Sequence, residues 1–421
     1  MPSHPLPVPA SGPASVSAPV PGPAPASARA DVPAPASARA DVPAPAPPGP
    51  PVRPAVTELR LSAFKSHRGA VLPIGPLTLF AGVSGSGKSS ALQAYEALAR
   101  LAAGQGLERA FPDPDGCVPE WARPDRQGRR GFRIGCTVRG PAGEVRLDLA
   151  VQAEPDLRIV GERLTCDGDV VLATALRDPR RRTVEAAWHT SGTAVVTRAA
   201  LPDDRLGTPL LPLHVAGRTA AQLRVLAAAE QVVMALRSAF ACDPRPERMR
   251  APVPAGSGRL RRGCDNLAEV LHRTRSECTR RHARLTAAAR AGCAGEVADV
   301  RVERTPDGVV RALLGRGAAA APTPVGRLGE GELRYLALAL VLLTGPGVLA
   351  VDQVAEVPEA YQSLTVVADG LDRCLHPEQT RELVLLAVEM CARGHIRLVG
   401  AVSDAACARS IPGVSVVDLV R

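Results

Sequence analysis

Leu59 and Leu61 alternate with polar neighbours from Thr57 onward, which predicts a first strand. Leu77-Thr78-Leu79-Phe80-Ala81 reads as a buried strand, and the run from Ser90 to Leu98 as a helix extending to about Ala103. The chain is then loop-like through Pro124. Phe132–Val138 and Val145–Val151 alternate with period two around Gly140-Pro141-Ala142-Gly143, the signature of a hairpin. The spacing predicts a helix over Ala220–Ala241 and a longer one from about Asn266 to Ala291 with a thin apolar stripe, Leu267, Leu271, Cys278 and Leu285. A second hairpin pairs Val300–Glu303 with Val309–Leu314 across Thr305-Pro306-Asp307-Gly308. An apolar helix, Leu333–Thr344, precedes strand candidates Val348–Val351 and Leu364–Ala368. A helix Glu378–Ala392, a strand Ile396–Val402 and a short strand near Val414–Val420 complete the pattern.

Residues 1–54 carry no such pattern. They are nearly all Pro, Ala, Ser, Val and Gly, and the decamer PAPASARADV occurs in tandem at Pro23–Val32 and Pro33–Val42. Proline donates no N–H and small side chains bury too little area to offset ordering entropy, so a disordered tail is expected, suited to a linker or a weak ligand for a proline-binding module. No secretory signal is visible, and the longest apolar run, Leu336–Leu343, is far short of the ~20 residues that span a bilayer. A cytoplasmic protein with no membrane partner is the expectation. The ten cysteines include no C-x-x-C pair, so neither a zinc site nor a disulfide framework is indicated.

Charge adds little. The formal net charge is +9, with only two lysines among 51 basic residues, an arginine usage that a GC-rich coding sequence also produces. That balance invites a polyanion such as DNA without establishing one. Arg273, Arg275, Arg280, Arg281, Arg284 and Arg290 decorate the long helix, which reads as an arm or lid with a solvated face before it reads as a DNA-contacting surface. Five Phe, three Tyr and two Trp leave few platforms for stacking bases.

One of the two lysines carries the chemistry. Gly82-Val83-Ser84-Gly85-Ser86-Gly87-Lys88-Ser89 spells the P-loop pattern G-x-x-x-x-G-K-[ST], between a strand and a helix. Given this composition, about 2 in a thousand random orderings would contain it, and the strand-to-helix context narrows that further. Loop N–H groups and the helix N-terminus, through Ser90, would cradle ATP phosphates, with Lys88 on the β- and γ-phosphates and Ser89 on Mg2+.

The order of these elements resembles the ABC-type head of the SMC/RecF-like ATPases, a group within which bacterial AAA family predicted ATPases are named. Nothing resembles the arginine-finger and sensor elements of AAA+ proteins. The similarity spans about residues 56–410 and rests on four places. Phe64-Lys65-Ser66 looks like the aromatic-Lys-Ser element at the end of the family's first strand. Leu328-Gly329-Glu330-Gly331-Glu332 is similar to the signature L-S-[GD]-G-[QE], with Gly329 in the serine's place. The Walker B aspartate has two candidates: Asp352, by spacing from the signature, and Asp369, because Asp369-Gly370-Leu371-Asp372-Arg373-Cys374-Leu375-His376-Pro377 lines up with D-E-P-E-x-x-L-H-P. The greater number of matched positions favours Asp369, which makes Val348–Ser363 an insertion.

Either choice removes the catalytic glutamate, because Gly370 follows Asp369 and Gln353 follows Asp352. The family's switch histidine falls on Val402. Asp372 is left as the candidate catalytic carboxylate. His376 reads as a cap, while His189, His214, His272 and His282 have no ligand spacing. Gln127 lacks the surroundings of a magnesium-sensing residue.

The fold expected is α/β, a P-loop NTPase with an ABC-type head, antiparallel hairpins and an inserted helical arm. Its divisions are a tail (1–54), the Walker A half (55–215), arm and hairpin (216–325) and the signature and Walker B half (326–421). The resemblance implies slow, Mg-dependent ATP hydrolysis, a homodimer closing on two ATPs through Leu328–Glu332, and a role in DNA maintenance or defence. The alternative is a non-hydrolysing scaffold that recruits an unidentified protein partner. A small-molecule kinase would leave the signature-like turn unexplained.

Overall fold

The structure is a computed structural model that describes residues 52–188, 197–256, 258–318, 320–345, 349 and 362–420. The first 51 residues, His189, Asp352, Gln353 and all of the strand candidate Val348–Val351 except Leu349 lie outside the described residues.

Five parallel strands form one sheet. Their spatial order is Ala239–Cys242, Leu364–Ala368, Ile396–Val402, Leu77–Ala81, Ser415–Asp418. Strands covered on both faces need apolar side chains on both, which is why Leu77–Ala81 and Leu364–Ala368 are buried at every position. Phe80, Val367, Val399 and Ala401 face one core together with the helix Lys88–Ala102. Leu79, Ala81, Val366, Ala368 and Leu398 face the other, with the helices Glu330–Leu343 and Pro377–Ala392. Every residue of Leu333–Leu343 is buried, so that helix is covered all round.

The expected hairpin of Phe132–Val138 and Val145–Val151 is the centre of a larger antiparallel sheet. Its order is His67–Pro73, Ala55–Phe64, Arg130–Gly140, Gly143–Glu154, Arg158–Cys166, Asp169–Ala175, Thr183–Trp188, Thr197–Pro202. The helix Ala220–Arg237 crosses it, and buried Gln231 fixes the hairpin turn. The Gln231 Oε1 accepts from the Ala142 N–H at 2.7 Å, and Nε2 donates to the Gly143 carbonyl at 2.9 Å. The second hairpin, Asp299–Arg304 with Val309–Gly315, is present as expected.

Two expected helices are corrected. Ala220–Ala241 ends at Arg237, and the apolar residues that follow form the edge strand Ala239–Cys242, because Ala239 to Cys242 pair with Thr365 to Ala368. The helix expected over Asn266–Ala291 is two helices, Leu267–Glu277 and Thr279–Gly292, broken where Cys278 turns extended (φ −151°, ψ 92°). Leu267, Val270, Leu271, Leu285 and Ala289 are buried with the helix Glu330–Leu343, so along these residues the segment packs into the same core as the parallel sheet rather than projecting as an arm. Several of its arginines are used internally: Arg273 pairs with Glu277 at 2.6 Å, Arg284 with Glu389, and Arg290 donates to the Val297 carbonyl at 2.7 Å. Among the described residues, no helix is long and apolar enough to cross a membrane.

Burial, and next the nearby Arg275, lower the pKa of His282 in this segment. The native state therefore favours the neutral ring more than the unfolded chain does. As pH falls below about 6.5 the unfolded chain takes up the proton first, so this contribution to stability is present above that pH and lost below it. The midpoint of thermal unfolding should fall less between pH 7.5 and 5.5 in His282→Gln than in the wild type.

Candidate functional site

All five parallel strands point their carboxyl ends the same way, and the chain leaves three neighbouring strands at Gly82, Asp369 and Ser403. Loops leaving that edge are free to converge on one ligand. They enclose a cavity of about 670 Å³, lined by Ser84, Gly85, Lys88, Ser89, Asp369, Asp372, Arg373 and Val402 among others.

Gly82 adopts φ 148°, and a Cβ there would lie 2.5 Å from the Leu419 carbonyl oxygen, so only glycine lets the loop leave the strand at this angle. The helix Lys88–Ala102 then begins with no side-chain cap and no acidic residue in its first turn. Its leading N–H groups and its dipole are thus left available for an anion. Lys88 folds back, Nζ donating to the carbonyls of Gly82 at 2.6 Å and Val83 at 3.0 Å. His67 Nε2 lies 3.0 Å from the Gly87 carbonyl oxygen and steadies the loop from the antiparallel sheet.

Ser89 Oγ donates to Asp369 Oδ1 at 3.1 Å, across 280 residues of sequence. This bond brings Asp369 to the loop Gly82–Ser89; Asp352, the other aspartate considered from sequence, lies outside the described residues. Asp372 sits one turn further on. Its Oδ2 accepts from the N–H groups of Ser403 at 2.7 Å and Asp404 at 3.0 Å, so it clamps the loop after the last strand of the trio. Its Oδ1 is buried and has no hydrogen-bond partner. Gly370 and Val402 complete this wall, neither carrying an acid or a base.

The signature-like turn is held elsewhere. Gly329 caps the helix Glu330–Leu343, its N–H donating to Glu332 Oε2 at 2.9 Å, and Arg250 donates to the carbonyls of Gly326 and Leu328. None of Leu328, Gly329, Glu330 and Gly331 lines the cavity of this chain. The two regions touch at Cys374, whose thiol donates to Glu330 Oε2 at 3.7 Å, and through buried Arg334, which donates to the carbonyls of Gly370 at 3.0 Å and Pro244 at 2.7 Å. Burial, and then repulsion from Arg373, lower the pKa of Arg334.

Ser66, noted in the sequence only as part of Phe64-Lys65-Ser66, lines the cavity, and so does Ser403, the residue after Val402. Sequence reasoning missed His67, Arg334 and Arg373; two further arginines among so many gave no signal. His376 caps the helix Pro377–Ala392, the Glu378 N–H donating to its Nδ1 at 3.4 Å. Gln127, His214, His272 and His282 are not part of the cavity lining.

No protein-family model matches the chain, and no curated protein matches it. Among solved structures it is similar to an SMC head bound to the C-winged helix domain of ScpA, at 11% identity over 87% of this chain and 95% of that one, with a TM-score of 0.49. An SMC head with an extended coiled coil bound to the C-terminal domain of ScpA, from Pyrococcus furiosus, is 10% identical over 87% and 94% (TM-score 0.46). The SMC head domain from Thermotoga maritima is 13% identical over 87% and 96% (TM-score 0.39). At these scores no property of those proteins is carried to this chain.

Proposed function

We propose that the chain binds ATP with magnesium at Gly82–Ser90 and works as a nucleotide-gated switch of the ABC-type, SMC/RecF-like kind, with slow turnover at most. One observation carries the reading: Ser89 Oγ meets Asp369 Oδ1 at 3.1 Å beside Lys88, at the carboxyl edge of the parallel sheet. A hydroxyl and a carboxylate are the hard oxygen donors that magnesium takes alongside phosphate and water, so this pair fits the ion without a cluster of acidic ligands. When bound, magnesium would neutralise charge between the β- and γ-phosphates. Lys88 would exchange the Gly82 and Val83 carbonyls for phosphate oxygens, while the N–H groups of Ser84 to Ser90 hold the rest of the chain of phosphates.

Weak hydrolysis follows from the opposite wall. Gly370 and Val402 offer no group to take a proton from water, and Asp372 commits one oxygen to two backbone amides. Asp372 Oδ1 is the remaining candidate base. The signature-like turn, absent from its own chain's cavity, would serve a second copy, with two ATPs held between two chains and Leu328, Gly329, Glu330 and Gly331 offering backbone N–H groups. Should ATP bind without phosphate release, the scaffold reading takes over, supported by the same Gly370 and Val402.

Asp369→Asn tests the metal site. Loss of one charge-assisted ligand should weaken magnesium-dependent ATP binding about 10- to 100-fold and leave magnesium-free binding within about threefold. Equal affinities with and without magnesium in the wild type would remove Asp369 from this role. Light scattering on the same samples reports whether ATP drives association.

A further inference from the structure

We propose that Arg373 is the group that reads the terminal phosphate, so that the site distinguishes ATP from ADP with an arginine supplied by its own chain. This rests on the nucleotide reading above and specifies it.

The turn from Asp369 to Leu375 is fixed at several points. The Leu371 N–H donates to the Ala401 carbonyl at 2.8 Å, the Arg373 N–H to the Gly370 carbonyl at 3.0 Å and the Leu375 N–H to the Asp372 carbonyl at 3.1 Å. Leu371 is buried, and Asp372 grips the backbone of Ser403 and Asp404. The side chain of residue 373 is therefore launched from a fixed base.

Its guanidinium lies over Gly370. A Cβ at that position would sit 3.1 Å from Arg373 Nε and 3.2 Å from Nη2, and Gly370 itself has φ 59°. The arginine thus fills the place into which a side chain at 370 would project, and it shares the cavity lining with Lys88 and Ser89.

Arg373 also lacks a counter-charge. Among the described residues it has no ion pair, although Asp369 and Asp372 are its near neighbours in sequence; Asp369 Oδ1 is bonded to Ser89, and Asp372 Oδ2 to backbone amides. The charge it does meet is Arg334, of the same sign and buried. A guanidinium held near another guanidinium, in a cavity lining that also includes a lysine and a helix N-terminus, is positioned for a multivalent anion. Asp369, at the start of this turn, is bonded to Ser89, so the turn borders the proposed metal site, where the terminal phosphate would lie. A planar fork suits two of its oxygens at once.

The experiment is a competitive titration of the full chain with Mg-ATP and Mg-ADP, for wild type, Arg373→Ala, Arg373→Lys and Lys88→Ala. Arg373→Ala should weaken ATP about 10- to 100-fold and change ADP less than about twofold, the range for losing charge-assisted bonds to one phosphate. Arg373→Lys should recover part of the loss, keeping the charge without the fork. Equal loss for both nucleotides, or no loss for either, overturns the proposal. If Lys88→Ala abolishes binding while Arg373→Ala leaves ATP untouched, only this inference falls. If Lys88→Ala binds both nucleotides as the wild type does, the nucleotide site itself is refuted.

Discussion

Lys88→Ala should eliminate detectable ATP binding. The ammonium is the one basic group inside the phosphate loop, and it rests on two loop carbonyls, 2.6 and 3.0 Å away, that a triphosphate would displace. Losing several charge-assisted bonds to phosphate should cost about 3–4 kcal/mol, or roughly 100- to 1000-fold in affinity. The folded state should change little, since the lysine's bonds lie in a half-open loop. Thermal unfolding separates the two effects. Wild type at 100 times its dissociation constant gains about 2.7 kcal/mol and a clear rise in midpoint, whereas the mutant should show the wild-type midpoint without ligand and no rise with it. A mutant that still shifts with Mg-ATP would place the nucleotide elsewhere. Phosphate release measured on the same samples then decides between switch and scaffold.

Arg158→Met should produce the largest loss of stability among single polar substitutions. Arg158 is 3% exposed and Asp203 1%, with Nε donating to Asp203 Oδ2 at 2.7 Å and Nη1 to the Pro179 carbonyl at 2.7 Å; Nη2 reaches the Arg181 carbonyl. Methionine would strand a buried carboxylate, left to Arg182 alone at 3.3 Å, together with two carbonyls. Breaking one side of such a pair costs about 3–5 kcal/mol. Urea unfolding of Arg158→Met, Asp203→Asn and the double variant should show a double loss well below the sum, since removing both partners leaves no orphaned charge. Additive losses would show that the pair is not coupled. Nucleotide affinity at low temperature should be unaffected, because neither residue lines the cavity.

The strand and helix around Gly82–Ser89 were legible because both have unbroken patterns, and the loop between them stood out because phosphate binding would need fixed residue types at fixed spacing. Boundaries were harder. The apolar run continues from helix into strand through Ser238, and only pairing with Leu364–Ala368 tells the chain to stop being helical. Cys278 breaks a helix without glycine or proline, a decision made by packing rather than by local preference. Of the four strands from Arg158 to Pro202, Thr183–Trp188 alternates cleanly through Val184, Ala186 and Trp188, but Asp169–Ala175 is irregular and Thr197–Pro202 buries only Leu201, so the period-two signal is weak over this stretch. The choice between Asp352 and Asp369 was a contest of spacing against context. Proximity to Ser89 favours context, and no periodicity could have supplied it. Arg373 was invisible for a different reason: in a chain this rich in arginine, one more carries no information until its neighbours are known.

The strand that feeds the phosphate loop lies between Ile396–Val402 and Ser415–Asp418, and the Leu419 N–H donates to the Ala81 carbonyl. Early and late parts of the chain thus interlock at the site. During synthesis Leu77–Ala81 leaves the ribosome about 320 residues before Ile396–Val402 and about 340 before Ser415–Asp418. At typical elongation rates of 5–20 residues per second, that is roughly 15–70 seconds in which Leu77–Ala81 has neither edge paired. A nascent chain should therefore be unable to capture nucleotide until Ile396–Val402 and Ser415–Asp418 have emerged, and until then its unpaired apolar strand is open to a chaperone.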